Sequence, residues 1–372
     1  MSNTDPLRAW VEVRLEALRA NYRAIVDATG SAVIPMVKAN GYGVGAECVV
    51  RALDPEQPWG YGVATVEEGA ALRRAGVQRP IVVFGPMPPG EEGRAASARL
   101  IATISDVDAL GRWVAASPEQ GALEFHVEID TGMGRSGFDW RETAQWAPAV
   151  AALSAPTRWT GAYTHFHSAD ALDPTPTRTQ WTRFRDALAQ LPVSRENLMV
   201  HAANSAAALR WREYAADAVR PGIFLYGGRA VEPDVMGVVR PQAAVAVRAR
   251  VVRVREVPPG TTSGYSATYA ARSWERWATL PVGYADGVFR SLGNRGEVLI
   301  RGGRAPVIGR ISMDMTVVDI SGIPDVVTGD VATLIGRDRD DEITVDDVGA
   351  RAGTISYEVL TRLTSRLPRI EC

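Results

Sequence analysis

The sequence Pro35-Met-Val-Lys-Ala-Asn-Gly-Tyr-Gly-Val-Gly45 contains Lys38. This is the only lysine of the 372-residue chain, in which arginine occurs many times. Arginine can replace lysine as a surface charge, but it does not lose its proton and cannot act as a nucleophilic amine. A single retained lysine has two explanations: a requirement for its amine, or a drift toward arginine that left one lysine by chance. The count of lysines alone does not choose between them.

The residues on either side of Lys38 predict where its amine lies. Residues 32–37 form a short apolar run typical of a buried strand, three glycines follow Lys38, and residues 46–53 have helical spacing. A lysine between a strand and a helix lies at the ligand-binding end of an α/β unit. The glycine spacing fits neither the dinucleotide-binding fingerprint nor a P-loop, in which the lysine follows the glycines. We therefore interpret Lys38 as a reactive amine in a binding site.

Apolar runs and helical segments alternate through the first two thirds of the chain. Eight candidate strands, mostly separated by helices, predict an α/β fold of the (β/α)8 TIM-barrel type. They lie at residues 32–37, 61–65, 80–84, 100–104, 123–129, 159–164, 198–201 and 218–226. After Gly228, long alternating runs predominate and helices are scarce, which predicts a mostly-β C-terminal domain. We expect the barrel to cover residues 12–235 and the β domain residues 236–372.

The composition narrows the class of protein. A hydrophobic fraction of 46%, a charged fraction of 23% and a formal net charge of −2 indicate a globular protein for which nucleic acids and anionic membranes are poor partners. We expect no membrane span and no signal peptide. Cys48 and Cys372 make no disulfide framework, so we expect a cytoplasmic protein. His165 and His167 share one strand face without further ligands at suitable spacing, and we predict no metal site.

Val37-Lys-Ala-Asn-Gly-Tyr-Gly-Val-Gly45 resembles the cofactor-lysine motif of the alanine racemases, and the resemblance continues through nearly the whole chain. It implies a pyridoxal 5′-phosphate (PLP) enzyme with a barrel and a β domain, and with residues 1–11 packed on the β domain. It also implies interconversion of L- and D-alanine by two-base proton transfer. Such an enzyme needs an amine, a phosphate cradle, a partner for the ring nitrogen and a base on each face of the substrate.

Two residues match the bases of that family. Lys38 corresponds to the cofactor lysine, which is also the base on one face, and Tyr265 corresponds to the second base, which enters from the partner subunit. Since tyrosine has a pKa near ~10, it needs a neighbour that stabilises its phenolate. His165 matches the histidine that contacts both this tyrosine and the cofactor ring. Without the resemblance, Tyr265 would be an ordinary turn residue.

Further residues match the cofactor contacts of the family. Arg220 corresponds to the arginine that faces the ring nitrogen. Because arginine keeps its proton, the nitrogen stays unprotonated, which favours proton transfer over competing reactions. Ser205 begins a helix, where a hydroxyl and free N–H groups can bind phosphate together, although Asn204 and Ser205 alone would suggest a helix cap. The other predicted cofactor contacts are Tyr42, Asn204, Gly222, Ile223 and Tyr357.

The resemblance also implies a substrate side. Arg135 matches the arginine near the substrate carboxylate and the phenolic oxygen of the cofactor. Met313 and Asp314 match a loop from the partner's β domain, and Tyr284 matches an entrance tyrosine. Because the second base and this loop come from the other chain, the resemblance implies a homodimer with shared active sites.

Glu128 departs from the family pattern. Many alanine racemases have a lysine here that becomes carbamylated, and this anion holds the active-site arginine. We hypothesise that Glu128, an anion without modification, orients Arg135 electrostatically. The alternative is a strand residue whose side chain points outward.

Three other functions use related machinery. The first is a racemase of the same family that prefers serine or another amino acid. A barrel-type PLP decarboxylase would use a β-domain cysteine, which neither Cys48 nor Cys372 supplies, and a carboxylate in place of Arg220. A PLP-binding homeostasis protein is a barrel alone, and the predicted β domain argues against it.

Overall fold

The computed structural model describes residues 7–117 and 123–372. Its N-terminal part is a closed ring of eight short parallel strands. Parallel bridges from Met36 to Gly62 and from Val82 to Ile101 join a strand pair to a larger sheet and so close the ring. The strands are Ala32–Val33, Tyr61–Val63, Ile81–Val83, Ala102–Ile104, Glu124–Asp130, Arg158–Tyr163, Met199–Asn204 and Ala218–Arg220. The predicted (β/α)8 barrel is confirmed.

Helices connect most of the barrel strands. Thr65 begins one of them, because its side chain accepts a hydrogen bond from the N–H of Glu68 and so caps the free end. The α-helices of this part are Leu15–Thr29, Ala46–Leu53, Val66–Arg74, Glu92–Ser97, Val107–Ala115, Thr143–Leu153, Thr175–Leu188 and Ser205–Arg210, besides the turn Lys38–Tyr42 described below. The helix Glu92–Ser97 was not predicted, because six residues are too few to show a helical period.

The C-terminal part consists mainly of β-strands, which confirms the predicted mostly-β domain. The largest sheet has the strand order Gly303–Pro306, Glu297–Ile300, Val331–Asp338, Val245–Arg250, Ala9–Val13 and Arg369–Glu371, with Asp341–Ile343 paired to Val331–Asp338. A second sheet contains Arg253–Val257, Glu275–Leu280 and Thr316–Asp319. Thr262–Ser263 and Tyr269–Ala270 form a two-stranded ribbon, and two helices, Val345–Ala352 and Ser356–Thr361, precede the last strand.

The strands Ala9–Val13 and Arg369–Glu371 lie side by side although they come from opposite ends of the sequence. Ala9–Val13 runs antiparallel to Val245–Arg250 and parallel to Arg369–Glu371, with Val11 opposite Arg369. Of the predicted packing segment, residues 1–6 lie outside the described residues. The domain limits given above stay a prediction.

One cluster of buried apolar side chains fills the barrel and continues into the β domain. A smaller cluster around Trp277 packs beside the second sheet.

In the described ranges, no helix has both the length and the apolar composition that would be needed to cross a membrane. Short 3₁₀ turns complete the chain at Asp54–Glu56, Trp140–Glu142, Arg195–Asn197, Arg212–Tyr214, Ile223–Tyr226, Tyr265–Ala267, Tyr284–Asp286 and Arg290–Leu292.

Candidate active site

A cavity of about 670 Å³ lies where the barrel strands end. Its wall combines residues that follow barrel strands with residues of the helix Ser356–Thr361 from the β domain. The predicted site residues that line it are Lys38, Tyr42, Glu128, Arg135, His165, Asn204, Ser205, Arg220, Gly222, Ile223 and Tyr357. The fold therefore brings together the predicted amine and all the predicted cofactor contacts.

Lys38 begins a turn of left-handed helical conformation, here called the lysine turn (Lys38–Tyr42). The φ angles of Ala39, Asn40, Gly41 and Tyr42 are 52°, 53°, 60° and 54°. Three of these four residues carry a Cβ, and each costs on the order of 1–2 kcal/mol in this conformation. The glycines predicted a turn, but not that residues with side chains would share its left-handed conformation.

Contacts from neighbouring segments hold the lysine turn. The carboxylate of Glu68 accepts a hydrogen bond from the N–H of Ala39 at 2.6 Å. The side chain of Asn40 accepts one from the N–H of Ala46 at 3.0 Å. Because a strained backbone persists only where its surroundings fix it, these contacts keep Lys38 in one place.

The amine of Lys38 lies in a partly buried, positively charged setting. Burial lowers the pKa of Lys38, and the cations Arg135 and Arg220 lower it further, whereas the carboxylate of Glu68 raises it. A lower pKa increases the neutral fraction of the amine near pH 7. The neutral amine is the form that attacks a carbonyl or accepts a proton.

Arg220 is a buried cation that contacts neutral groups. Its Nη1 donates to His201 Nδ1 at 2.7 Å, and its Nη2 donates to the carbonyl oxygens of Thr164 and Ala202 at 2.7 and 3.1 Å. Within the described part of the chain it has no ion-pair partner. Burial lowers the pKa of Arg220 to about 10. The guanidinium therefore stays charged at neutral pH.

Two buried histidines continue the hydrogen bonds of Arg220. Since a guanidinium only donates, His201 accepts at Nδ1 and carries its proton on Nε2. This Nε2 lies 2.9 Å from His126 Nδ1, which therefore accepts. Burial, assisted by Arg220, lowers the pKa of His126 to about 3 and that of His201 well below its usual value. Both imidazoles are neutral at pH 7.

His165 is the third neutral histidine near Arg220. Its Nδ1 lies 3.4 Å from Arg220 Nη2. Burial, followed by the charges of Arg220, Arg135 and Lys38, lowers the pKa of His165 to about 3. Its imidazole can therefore accept one hydrogen bond and donate another without carrying charge.

Ser205, Gly222 and Tyr42 meet in one part of the cavity wall. The N–H of Gly222 donates to Ser205 Oγ at 2.8 Å, so this predicted backbone donor already has a partner. A Cβ at residue 222 would collide with the hydroxyl of Tyr42, so glycine permits this close approach. The Tyr42 ring stacks on Tyr226 with centroids 4.7 Å apart, and the Tyr357 ring lies 6.1 Å from Tyr42.

Asn204 caps the helix that Ser205 begins. Its side-chain oxygen accepts from the N–H of Ala207 at 3.1 Å, and its amide nitrogen donates to the carbonyl of Phe166 at 3.4 Å. Asn204 thus shapes the wall of the cavity while it stabilises the helix Ser205–Arg210.

Glu128 is buried and lines the cavity instead of pointing outward. It accepts a hydrogen bond from Ser136 Oγ at 2.5 Å. Arg135, the residue before Ser136, is exposed at the cavity wall, and the described residues include no ion pair between Glu128 and Arg135. Glu128 can therefore influence Arg135 through its negative charge and through its hydrogen bond with Ser136.

Four predicted residues do not line the cavity of their own chain. Tyr265 is 67% exposed and Met313 is 51% exposed, both in the β domain. Asp314 pairs with Arg366 at 2.6 Å, and Tyr284 begins a short helix. One chain therefore supplies the amine to its cavity but not the second predicted base.

Two family matches cover most of the sequence. Residues 13–230 match the family described as alanine racemase, N-terminal domain. Residues 244–371 match alanine racemase, C-terminal domain. The chain belongs to the alanine racemase family. The resemblance that the sequence motifs indicated is confirmed.

Individual alanine racemases resemble this chain over nearly its whole length. The alanine racemase of Halothermothrix orenii is 37% identical over 364 residues, which are 97% of this chain and 96% of that protein. The crystal structure of the alanine racemase from D-cycloserine-producing Streptomyces lavendulae has a TM-score of 0.91 and 34% identity, and the match covers 99% and 98% of the two chains. The alanine racemase of Bartonella henselae, crystallised with covalently bound pyridoxal phosphate, has a TM-score of 0.89 and 28% identity, with 99% and 100% covered.

Aromatic side chains that were not predicted form one wall of this alanine racemase family site. Tyr163 stacks on His201 with centroids 5.0 Å apart, and Arg220 lies 5.1 Å from the Tyr163 ring and 5.5 Å from the Phe84 ring. Phe84 and Tyr163 both stand at the ends of predicted strands. Because barrel sites form at these ends, their position was the signal that could have identified them.

Proposed function

We propose that this protein is an alanine racemase that interconverts L- and D-alanine with PLP as its cofactor. The observation that carries the proposal is Lys38, the only lysine of a chain in the alanine racemase family. Its amine lies in the barrel cavity with a lowered pKa, near a buried arginine that has no ion-pair partner among residues 7–117 and 123–372.

The residues of the cavity fit PLP. An amine is available for the aldehyde, a buried cation for the ring nitrogen, and hydroxyl groups for the phosphate. Once bound, PLP supplies a conjugated ring that delocalises the negative charge formed at the α-carbon of an amino acid. The Bartonella relative carries this cofactor covalently, and Lys38 is the residue that would hold it in this chain.

Two side chains transfer the α-proton, one on each face of the substrate. Lys38 moves the α-proton on one face, and Tyr265 of the partner subunit moves it on the other. Arg135 binds the substrate carboxylate. His165, neutral at the working pH, accepts from Arg220 at Nδ1 and donates its other ring N–H to the phenolate oxygen of this tyrosine, which stabilises the form that acts as a base.

Arg220 determines the protonation state of the ring nitrogen. It can donate a hydrogen bond there, but its pKa of about 10 keeps the proton on the guanidinium at neutral pH. His201 and two carbonyl oxygens fix its orientation. A ring nitrogen that stays unprotonated favours the return of the proton to the α-carbon over other reactions of PLP.

The phosphate is bound by groups from both domains. Ser205 and Tyr42 supply hydroxyls from the barrel, and Tyr357 supplies one from the β domain. Ile223 and Gly222 supply the backbone at the end of the last barrel strand, with the Gly222 N–H shared with Ser205. Asn204 keeps this helix end in position.

Glu128 keeps the loop that carries Arg135 in position through its hydrogen bond with Ser136. We expect Glu128→Gln to raise KM for alanine roughly tenfold, because the amide lacks the charge that attracts the arginine. Steady-state kinetics with each alanine enantiomer measures this change. A variant with unchanged cofactor binding and an unchanged rate would rule out this role.

The active unit is a homodimer in which each β domain completes the partner's site with Tyr265, Met313, Asp314 and Tyr284. The exposure of Tyr265 and Met313, and the 70% exposure of Trp274 in the same domain, support an interface on the β domain. The cytoplasm stays the predicted location.

Exchange in heavy water tests the function. The purified protein is incubated with PLP and L-alanine in D₂O, and α-deuterium and D-alanine are followed together. Deuterated D-alanine is expected. Exchange without D-alanine would mean that only one base works, so the assignment of Tyr265 would be wrong. Faster exchange of L-serine or L-lysine than of L-alanine would overturn alanine as the substrate.

A further inference from the structure

Arg369 binds carbonyl oxygens instead of a carboxylate. Its backbone is fixed in the β domain, opposite Val11. Its guanidinium reaches the barrel, where Nε and Nη2 both donate to the carbonyl oxygen of Gly43, at 3.2 and 2.6 Å. Burial lowers the pKa of Arg369.

Three further carbonyl groups complete the contacts of Arg369. Its Nη2 donates to Leu363 at 2.8 Å, and its Nη1 donates to Thr364 and Leu367 at 2.5 and 2.6 Å. These residues follow the helix Ser356–Thr361. One guanidinium therefore joins this segment of the β domain to the barrel.

Gly43 directly follows the lysine turn and caps its end. Its N–H donates to the carbonyl of Ala39 at 2.8 Å, and its φ is 79°. A Cβ at residue 43 would collide with the carbonyl of Leu360, so the helix Ser356–Thr361 packs directly on this backbone. A displacement of Gly43 would therefore move the turn that begins at Lys38.

We propose that Arg369 is a positioning residue for Lys38: by fixing the carbonyl of Gly43, it sets where the amine lies in the cavity. The lysine turn has an unfavourable conformation that relaxes when the contact at its end is lost. The same link places the helix that carries Tyr357 against the cavity. The proposal rests on the proposed function only for the chemical role of Lys38.

Arg73 offers a matched control. Its guanidinium also donates to backbone carbonyls, those of Val77, Arg79, Ala98 and Arg99, and burial also lowers its pKa. None of these residues belongs to the lysine turn. Arg73→Gln therefore removes the same kind of hydrogen bond without releasing Lys38.

The test follows the amine directly. Because the chain has one lysine, acetic anhydride labelling of the full chain without cofactor, resolved by peptide mass spectrometry, gives the pH profile of Lys38 alone. The charged and titratable groups that face this amine are Arg135, Arg220, Glu68 and His165.

In Arg369→Gln we expect the labelling midpoint to move to higher pH, because a released amine gains water and leaves the two cations. We expect Kd for PLP to rise roughly tenfold. Arg73→Gln should lower the unfolding midpoint as much and leave both values as they were.

Gly43→Ala tests the same contact from the other side, and it should move the labelling midpoint in the same direction. If Arg369→Gln does not fold, the midpoint of Gly43→Ala tests the proposed role of Arg369. An unchanged midpoint, or an equal change in Arg73→Gln, would overturn the proposal. Since labelling requires no turnover, these outcomes are separate from a failure of the unsubstituted enzyme to racemise alanine, which would overturn the proposed function.

Discussion

The buried residues His126 and His201 make the stability of the protein depend on pH. In the unfolded chain each imidazole takes up a proton below about pH 6.5, whereas in the folded protein the pKa of His126 is about 3 and that of His201 is also far below its usual value. The unfolded state then binds more protons, so the free energy of unfolding falls as the pH falls from about 6.5 toward 3. Each histidine contributes about 1.4 kcal/mol per pH unit in this range.

We expect His126→Asn to reduce that slope by about 1.4 kcal/mol per pH unit, because one of the two imidazoles is gone. The asparagine oxygen can still accept from His201. Urea unfolding at several pH values between about 4 and 6, where the unfolded imidazole is mostly protonated, measures the slope. His167→Gln, at the exposed histidine, controls for the loss of a histidine as such. Identical slopes in the unsubstituted protein and in His126→Asn would contradict the prediction.

At the scale of single elements, we expect glycine to stabilise the lysine turn, although it usually destabilises a helix. Ala39 has a φ of 52°, which glycine adopts without the steric cost that a Cβ adds. We expect Ala39→Gly to stabilise the protein by about 1 kcal/mol. In the right-handed helix Val66–Arg74, Ala71→Gly should destabilise it by about 1 kcal/mol. Thermal unfolding of both variants checks the signs, and a loss of stability in Ala39→Gly would show that the turn is not strained.

The same element marks the limit of prediction from sequence. Helical spacing is a local property, and the helix predicted at residues 46–53 has the observed bounds. The handedness of the lysine turn depends on Glu68 and Arg369, which are distant in sequence. Site residues that belong to a sequence motif, such as Lys38, could be predicted from the sequence. The stack of Tyr163 on His201 was missed because neighbouring barrel strands create it.

At the scale of the whole molecule, the proposed sharing of active sites between two chains predicts complementation between inactive variants. Lys38→Ala and Tyr265→Phe should each abolish racemisation. In a mixed dimer, one site combines the intact Lys38 of one chain with the intact Tyr265 of the other. If subunits exchange at random, half of the dimers are mixed and one site in each is intact, so activity should return to roughly a quarter of the unsubstituted level. Racemisation by the mixture, compared with each variant alone, measures this, and no recovery after confirmed subunit exchange would place both residues in one chain.

The pairing of Ala9–Val13 with Arg369–Glu371 has a consequence for synthesis on the ribosome. The first of these strands is made early, but its two neighbours, Val245–Arg250 and Arg369–Glu371, are made much later. At about 5–20 residues per second, the last neighbour follows after some tens of seconds. The barrel strands are all translated within that interval, so the ring can close while Ala9–Val13 still has two open edges. The large sheet of the β domain is therefore the last part of the nascent protein to be completed.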